Sequence, residues 1–481
     1  MFKNNHIYIK KMVLIQIVIA LFAMLFSMFD MPMWTAELIL FLIYIECLIV
    51  SLDGEFFNLY QIFLFMMFFF NLSIPFFHLF GLYQYPDGNL VLANTGISRP
   101  ISNSSMIHTF VLEEIFLLGT SVGWLYWNTN KHIFLSIQHR NEEVFQSKDI
   151  VFYKIFKIVF GIVWPFEVIF QINQAILAIK FGYVEVIHMK SITNGWISYL
   201  SYVDNIYQFV GLGVLFFCRN SEEFKRKSIT FAIPYVILLL TGQRGTCISI
   251  ILTLIFMYSF MYKKIKFQRI FFIGIIVLFI IIGIGNYRWS RDISDLFGTG
   301  QHIVESVVNE FILNSESLMV VPYTIELSDL FTNKVPFLFG YIFAIFSFAS
   351  NYSIEGILSK NYLAQHITYL LNPAKLLRGS TIGTCILAEF YELTNGNYVI
   401  VFVLSVVLFY VAGVLLKRIN KNVFMYYLCF SYIQQLLMSP RGSVMKIFNK
   451  LTLVYALIFL VMSLVSSSTY KKNEDRSKKN V

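Results

Sequence analysis

Long apolar runs separated by short polar segments form the pattern of this chain from end to end. Most runs are about 18 to 25 residues long, the length that an α-helix needs to cross the hydrocarbon core of a bilayer. They predict about twelve transmembrane helices, centred on residues 12–29, 37–51, 57–81, 106–127, 151–175, 195–218, 227–241, 245–262, 269–286, 397–416, 423–438 and 446–466. Because no internal repeat divides the chain, the pattern predicts an all-α polytopic integral membrane protein with a single membrane domain, residues 1–481.

The longest connection, residues 287–396, joins predicted spans nine and ten. Loops of this length in compact proteins are usually functional. This loop contains an apolar stretch, VPFLFGYIFAIFSFA, at 335–349, which is too short to span readily. We expect this stretch to form a helix that lies in the interface or dips back into the protein.

Lysine and arginine concentrate in alternate connections and so predict the orientation of the chain. They are frequent in both termini and in the segments 132–149, 218–228, 262–269 and 417–422. Cytoplasmic loops of membrane proteins carry this excess of basic residues, and an even number of spans puts both termini on the same side. The sequence therefore predicts cytoplasmic termini. It places the 287–396 loop and the two short turns TGQRG and SPRGS outside.

Composition narrows the class of protein further. Hydrophobic residues make up 57% of the 481 residues and charged residues only 14%, whereas soluble domains are about a quarter charged. The net charge of +9 raises the question of nucleic acid, but the basic residues lie in short loops and tails beside apolar runs. We therefore expect membrane lipids as partners and no nucleic acid. The first span has no small-residue cleavage site and is expected to remain as an uncleaved helix.

Familiar cofactor motifs are absent from the sequence. It contains no P-loop, HExxH, EF-hand or CxxC pair, and its five cysteines all lie in or beside apolar runs. Asp292 and Asp295 form a DxxD pattern, which is more often a helix cap than a metal site. We expect no metal and no cofactor, and chemistry carried by side chains alone.

Arginines on the predicted outer side are the most distinctive polar residues. They are Arg99, Arg244, Arg288, Arg291, Arg378 and Arg441. Arginine stays charged and offers a planar fork of donors that suits phosphate or pyrophosphate. In TGQRG and SPRGS the neighbouring glycine also lets backbone amides approach an anion. The alternative for any one of them is an arginine that extends to the lipid headgroups.

Two residues of the large loop are candidates for a general base. Glu389 lies in GSTIGTCILAEFYELTNG, which leads from outside into span ten, and His366 lies further upstream. A carboxylate or a histidine is the usual general base for a hydroxyl. The structural alternatives are an interfacial carboxylate facing water and a solvated loop histidine.

Four stretches of this sequence resemble the Wzy family of O-antigen and capsular polysaccharide polymerases: LLLTGQRGTCISIILTL, VPFLFG, GSTIGTCILAEFYELTNG and SPRGS. They occur in the order usual for that family, and the layout is similar over most of the chain. The O-antigen ligases share the late outer loop but carry a histidine near the position of Gly379 or Ser380. This chain has none there, which argues against the ligase.

The resemblance implies an activity at the outer face of the bacterial cytoplasmic membrane. The growing glycan would be transferred from undecaprenyl pyrophosphate to a fresh lipid-linked oligosaccharide repeat unit. A chain-length regulator would be a further partner. The alternatives that remain are a flippase for the same lipid-linked oligosaccharide, which is a transporter, and a ligase-type glycosyltransferase.

Site residues follow from joining the resemblance to the chemistry of the leaving group. Fixed arginines can stabilise the charge that grows on a pyrophosphate without a metal. We expect catalytic roles for Arg244, Arg441 and Glu389, with Glu389 orienting the acceptor or serving as its base. The expected substrate-binding residues are Arg378, Arg99, Gln243, Arg291 and His366.

Overall fold

A computed structural model provides the structure of the chain. It describes residues 5–26, 31–52, 58–85, 100–128, 149–181, 196–218, 220–240, 244–266, 268–269, 303–332, 335–346, 353–377, 381–419 and 422–479, with single residues at 29, 272, 274 and 283. Every regular element in these ranges is helical, in agreement with the predicted all-α class.

The α-helices in chain order are α1 (Asn5–Phe26), α2 (Met33–Ser51), α3 (Leu59–Met67), α4 (Ser73–Leu79), α5 (Asn103–Asn128), α6 (Asp149–Phe181), α7 (Trp196–Phe216), α8 (Ser221–Leu239), α9 (Arg244–Met261), α10 (Ile303–Ser315), α11 (Val320–Leu327), α12 (Gly340–Phe346), α13 (Ile354–Leu358), α14 (Leu363–Leu371), α15 (Pro373–Leu377), α16 (Ile386–Thr394), α17 (Tyr398–Arg418), α18 (Val423–Met438) and α19 (Lys450–Lys479). One π-helical turn, Phe68–Leu72, joins α3 to α4. Short 3₁₀ turns occupy Glu316–Met319, Ser328–Leu330, Phe337–Phe339, Ser439–Arg441 and Val444–Phe448.

Five helices of the described residues are long and apolar enough to cross a membrane: Met33–Ser51, Leu59–Leu79, Asn103–Trp127, Phe152–Lys180 and Tyr398–Arg418. Shorter apolar helices cover Ile206–Phe216, Gly245–Met261, Phe337–Phe346 and Lys450–Leu464. The predicted span 269–286 lies almost wholly outside the described residues. The structure thus supports a multi-pass membrane protein, while the number of twelve spans and their orientation stay predictions.

Polar residues at the ends of the apolar runs start several of these helices. Asn58 caps α3 in a capping box, in which its side chain accepts from the N–H of Gln61 at 2.9 Å and its own N–H donates to the Gln61 side chain at 3.1 Å. Asn220 caps α8 by accepting from the N–H of Glu223 at 2.8 Å. Such caps satisfy backbone donors that an apolar first turn would leave unpaired.

The chain divides into two compact units. The first unit comprises Met1–Lys131, Ile265–Gly413 and Gln435–Asn449, and the second comprises His132–Lys264, Val414–Gln434 and Lys450–Val481. In the second unit α6, α7 and α8 pack together, and Tyr207 of α7 donates to the carbonyl of Phe231 in α8 at 2.9 Å. Whether the units form one membrane domain stays a prediction.

In the first unit α5 is a central buried helix and packs closely on α17. A Cβ atom added at Gly119 would lie 2.6 Å from the Cβ of Ser405 and 2.7 Å from the carbonyl oxygen of Phe402. Only glycine permits that approach, and small residues are the usual means of bringing membrane helices together. The contact fixes α17, which begins four residues after the end of α16 and so anchors the segment that carries Glu389.

Candidate active site

Glu389 is a buried carboxyl group on the first turn of α16, with only 2% of the residue exposed. Its Oε2 accepts a hydrogen bond from the Ser443 hydroxyl at 2.6 Å, and Oε1 accepts a long one from Thr384 at 3.5 Å. Burial raises the pKa of Glu389 to about 8, against the opposing effect of the two hydroxyl donors. The site thus contains a carboxyl group that can hold or release a proton near neutral pH.

Ser443 belongs to the same SPRGS turn as Arg441. The turn begins as 3₁₀ helix at Ser439–Arg441, and Ser439 ties it back to α18 through a 2.7 Å bond to the Leu436 carbonyl. Ser443 then caps the following 3₁₀ turn by accepting from the N–H of Met445 at 3.2 Å. One short turn therefore places a hydrogen bond on the Glu389 carboxyl group and carries an arginine two residues away.

Arg441 is exposed, yet its guanidinium group is held on two sides. Its Nη1 donates to Oδ1 of Asn314 in α10 at 3.2 Å, and its Cζ lies 5.5 Å from the centroid of the Phe70 ring. An arginine over an aromatic face gains a cation–π attraction. An exposed arginine whose guanidinium group is already held is suited to receive an anion, because less of its freedom remains to be lost on binding.

The π-helical turn Phe68–Leu72 sets the place of the Phe70 ring. The Ser317 hydroxyl donates to the Phe70 carbonyl, and the Phe69 ring packs edge-on against Phe311 of α10 at 5.1 Å. Single π-helical turns inside α-helices are frequent at functional sites. In the same turn Asn71 donates to Oε1 of Glu113 in α5 at 3.0 Å, which gives this buried carboxyl group a partner on a neighbouring element.

The stretch VPFLFG packs against the other end of α16. The N–H of Phe337 donates to Oε2 of Glu392 at 2.9 Å. A Cβ atom at Gly340 would lie 2.0 Å from the Asn361 carbonyl oxygen, so only glycine fits there. Three of the four stretches that resemble the polymerase family therefore meet around α16 in the first unit. Helix α12, which follows VPFLFG, is seven residues long, as expected of a segment too short to span.

His366 is buried on α14, with 7% of the residue exposed, and not solvated in a loop. Its ring packs against the Phe337 ring at 4.8 Å, and Nε2 lies 3.2 Å from the Leu358 carbonyl oxygen, to which it donates. Burial lowers the pKa of His366, and the hydrogen bond to the carbonyl opposes part of that shift. These contacts give His366 a packing role behind VPFLFG, and its part in substrate binding stays a prediction.

The other predicted site residues are not described in the same way. Helix α9 begins at Arg244, but the side chain of Arg244 is outside the described part of the structure. Four further predicted site residues lie wholly outside the described part of the structure: Arg99, Gln243, Arg291 and Arg378. Of the predicted set, the structure brings together Glu389 and the turn of Arg441.

Sequence reasoning missed two polar residues of this site, Asn314 and Glu310. The side-chain amide of Asn314 donates to the backbone carbonyl of Glu310 at 2.7 Å and to its Oε1 at 2.8 Å. Their spacing of four residues places them on one helix face, and this was the only signal in the sequence. Among the described residues, no group of three or more His, Cys, Asp or Glu side chains is placed to hold a metal ion.

Comparison with known proteins gives one result. A family model described as O-antigen polysaccharide polymerase Wzy matches residues 8–473, nearly the whole chain. No curated protein and no solved structure matches this chain. The match covers both compact units and all of the residues assigned above to the site.

Proposed function

This chain belongs to the Wzy family of O-antigen polysaccharide polymerases, and we propose that it joins undecaprenyl-pyrophosphate-linked oligosaccharide repeat units at the outer face of the bacterial cytoplasmic membrane. Membership of the family makes it a multi-pass membrane enzyme of repeat-unit polymerisation. The carrier lipid, the outer face and the residues that act are the proposal. The product would be O-antigen or capsule.

The observation that carries the proposal is the hydrogen bond from Ser443 to Glu389, because it links a buried carboxyl group to the turn of an exposed arginine. Glycosyl transfer needs both kinds of group. The leaving pyrophosphate gains negative charge as the bond from C1 of the sugar breaks, and the acceptor hydroxyl must lose a proton. Arg441 and Glu389 suit these two tasks.

On the donor side, Arg441 would contact the pyrophosphate of the growing chain. Its guanidinium group is already held by Asn314 and Phe70, so it would stabilise the leaving oxygen with little rearrangement. This electrostatic role needs no metal ion, and we propose a metal-independent glycosyltransferase. Arg244, Arg378, Arg99, Arg291 and Gln243 remain further proposed contacts to the lipid-linked substrates.

On the acceptor side, Glu389 would serve as the base. The bond from Thr384 to Oε1 is 3.5 Å long, at the limit of a hydrogen bond, so this oxygen retains capacity to accept from a sugar hydroxyl. A pKa raised to about 8 brings the carboxylate closer to the basicity that a hydroxyl requires. The acceptor oxygen forms the new bond to C1, Glu389 takes its proton, and the carrier pyrophosphate leaves with the electron pair.

A gel of surface polysaccharide from cells lacking the gene tests this function against its alternatives. The proposal expects the ladder of long chains to disappear while a single repeat unit still reaches its final anchor. Absence of any repeat unit at the surface, with lipid-linked units retained inside, would instead identify a flippase. Polymer that accumulates on the carrier lipid without reaching its anchor would identify a ligase. A chain-length regulator would alter the distribution of the ladder without abolishing it.

A further inference from the structure

We propose that Asn314 is a positioning residue for Arg441 and that Glu310 sets the orientation of the Asn314 amide. This inference rests on the proposed function, in which Arg441 contacts a lipid pyrophosphate, and it identifies the residues that prepare that contact. Asn314 and Glu310 are both buried, with 8% and 6% of each residue exposed, whereas Arg441 is exposed. The buried pair therefore contacts the exposed arginine from the protein interior, through the bond between Asn314 and the guanidinium group.

The orientation of the amide follows from its partners. Nδ2 of Asn314 lies 2.7 Å from the backbone oxygen of Glu310 and 2.8 Å from its Oε1, and both of these atoms are acceptors. The NH₂ group supplies the two protons they need, whereas the flipped amide would place an oxygen against two oxygens. The carbonyl oxygen of Asn314 is thereby left facing Nη1 of Arg441, to which it is 3.2 Å distant.

One short segment of chain also places the aromatic support of the arginine. Asn314 stands at the end of α10, and Ser317 follows in the next 3₁₀ turn. The Ser317 hydroxyl donates to the carbonyl of Phe70, whose ring lies under Arg441. Asn314 thus accepts the hydrogen bond of the guanidinium group, and Ser317, three positions later, holds the backbone of the residue whose ring lies beneath it.

The choice of asparagine has a chemical consequence. A neutral amide oxygen directs the guanidinium group without adding a negative charge of its own, so Asn314 does not itself reduce the attraction of the arginine for an anion. An aspartate in the same place would form an ion pair with Arg441 and would also stand against the Glu310 carboxylate. The inference therefore expects Asn314→Asp to impair anion binding although the side chains are nearly identical in size.

Binding of undecaprenyl pyrophosphate to the purified full-length protein in detergent tests this inference. We expect Asn314→Ala to weaken binding about tenfold, the loss typical of a hydrogen bond to a charged group. Asn314→Asp should weaken it at least as much. Asn309→Ala, which changes an exposed asparagine of the same helix, should bind as the wild type does. Thermal unfolding of each variant shows whether it is folded. If the Asn314→Ala variant does not fold, the isosteric Asn314→Asp variant is used to test binding in its place.

A double-mutant cycle separates positioning from general support of the fold. If Asn314 acts through Arg441, then Asn314→Ala added to Arg441→Ala should change binding by less than about twofold. A further tenfold loss in that background would overturn the inference and leave the proposed function intact, as would unchanged binding by the single Asn314 variants. If Arg441→Ala itself binds as tightly as the wild type, the pyrophosphate contact of the proposed function fails, and the inference fails with it.

Discussion

Two buried carboxyl groups in the same compact unit, Glu37 and Glu389, have very different neighbours. Both oxygens of Glu37 lie within 2.9 Å of Nδ1 of His78, and Oε1 also accepts from the Tyr85 hydroxyl at 2.8 Å. Within the described part of the chain, Glu389 has two hydroxyl partners, Ser443 at 2.6 Å and Thr384 at 3.5 Å. Burial is nearly complete in both cases, at 1% and 2% exposed.

The difference matches the roles that we propose for the two carboxyl groups, a structural role for Glu37 and a catalytic role for Glu389. The short contacts to Glu37 come from two ring-bearing side chains that themselves pack together, with His78 and Tyr85 centroids 4.2 Å apart. Such a cluster ties α2 to the end of α4 and gives both oxygens of the carboxylate a close partner. Glu389 has one oxygen whose bond, among the described residues, is 3.5 Å long, and it lies beside the turn of an exposed arginine. Proximity to the turn of Arg441, more than burial, is what favours Glu389 over Glu37 as the proposed base.

Paired glutamine substitutions test this comparison with the largest expected effect. Glu389→Gln removes the proposed base and should lower the polymerisation rate at least about a hundredfold, since general-base catalysis typically contributes that much. Glu37→Gln keeps an oxygen acceptor for its neighbours and should stay within about threefold of the wild-type rate. The rates would be measured on purified lipid-linked repeat units, with the amount of folded protein matched. Equal losses in the two variants would remove the distinction.

The change of rate with pH should be smaller than the loss caused by Glu389→Gln, but it tests directly whether Glu389 acts as a base. A base acts only when deprotonated, and the pKa of Glu389 is raised to about 8 by burial. The rate should therefore rise about tenfold per pH unit between pH 6 and 7 and level off above about pH 9. The measurement is initial rate against pH at saturating substrate, in buffers of constant ionic strength. A rate that is flat or falls across this range contradicts the role of Glu389 as base.

The smallest effect on activity is expected at His78. His78→Ala leaves the buried Glu37 carboxylate with Tyr85 as its neighbour, which should cost about 1–3 kcal/mol of stability and lower the unfolding midpoint by several degrees. Polymerisation by the folded protein should remain within about threefold of the wild-type rate. His108→Ala, which changes an exposed histidine bonded to Tyr398 at 2.8 Å, is the matched control and should shift the midpoint much less. A His78 variant that is fully stable but inactive would reverse the assignment.

The sequence allowed part of this site to be predicted. Glu389 and Arg441 stand out because charged residues are rare in an apolar chain, and the chemistry of a pyrophosphate leaving group calls for both types. Their proximity could not be derived, because 51 residues lie between Glu389 and Arg441 in the sequence, and Ser443, which bonds Glu389, lies beyond both. It depends on how α16 packs against the SPRGS turn, which is a tertiary contact.

The supporting residues were harder to predict, for two physical reasons. Asn314 and Glu310 look like the polar face of an amphipathic loop helix, and only packing shows that this face is buried. Phe70 is one of three successive phenylalanines, and no periodicity indicates which ring faces an arginine once a π-helical turn changes the helical register. The all-helical class, by contrast, follows directly from the length of the apolar runs.

Reconstituted polymerisation gives the most direct test of the central claim that the arginine of the SPRGS turn stabilises a pyrophosphate leaving group without a metal. Purified protein in liposomes would receive a single lipid-linked repeat unit as both donor and acceptor, with EDTA present. The account predicts a ladder from the wild type and from Arg226→Ala, an exposed arginine of the second unit, and a rate about a hundredfold lower from Arg441→Ala. A ladder formed at the wild-type rate by Arg441→Ala, or one lost in EDTA and restored by magnesium, would contradict it.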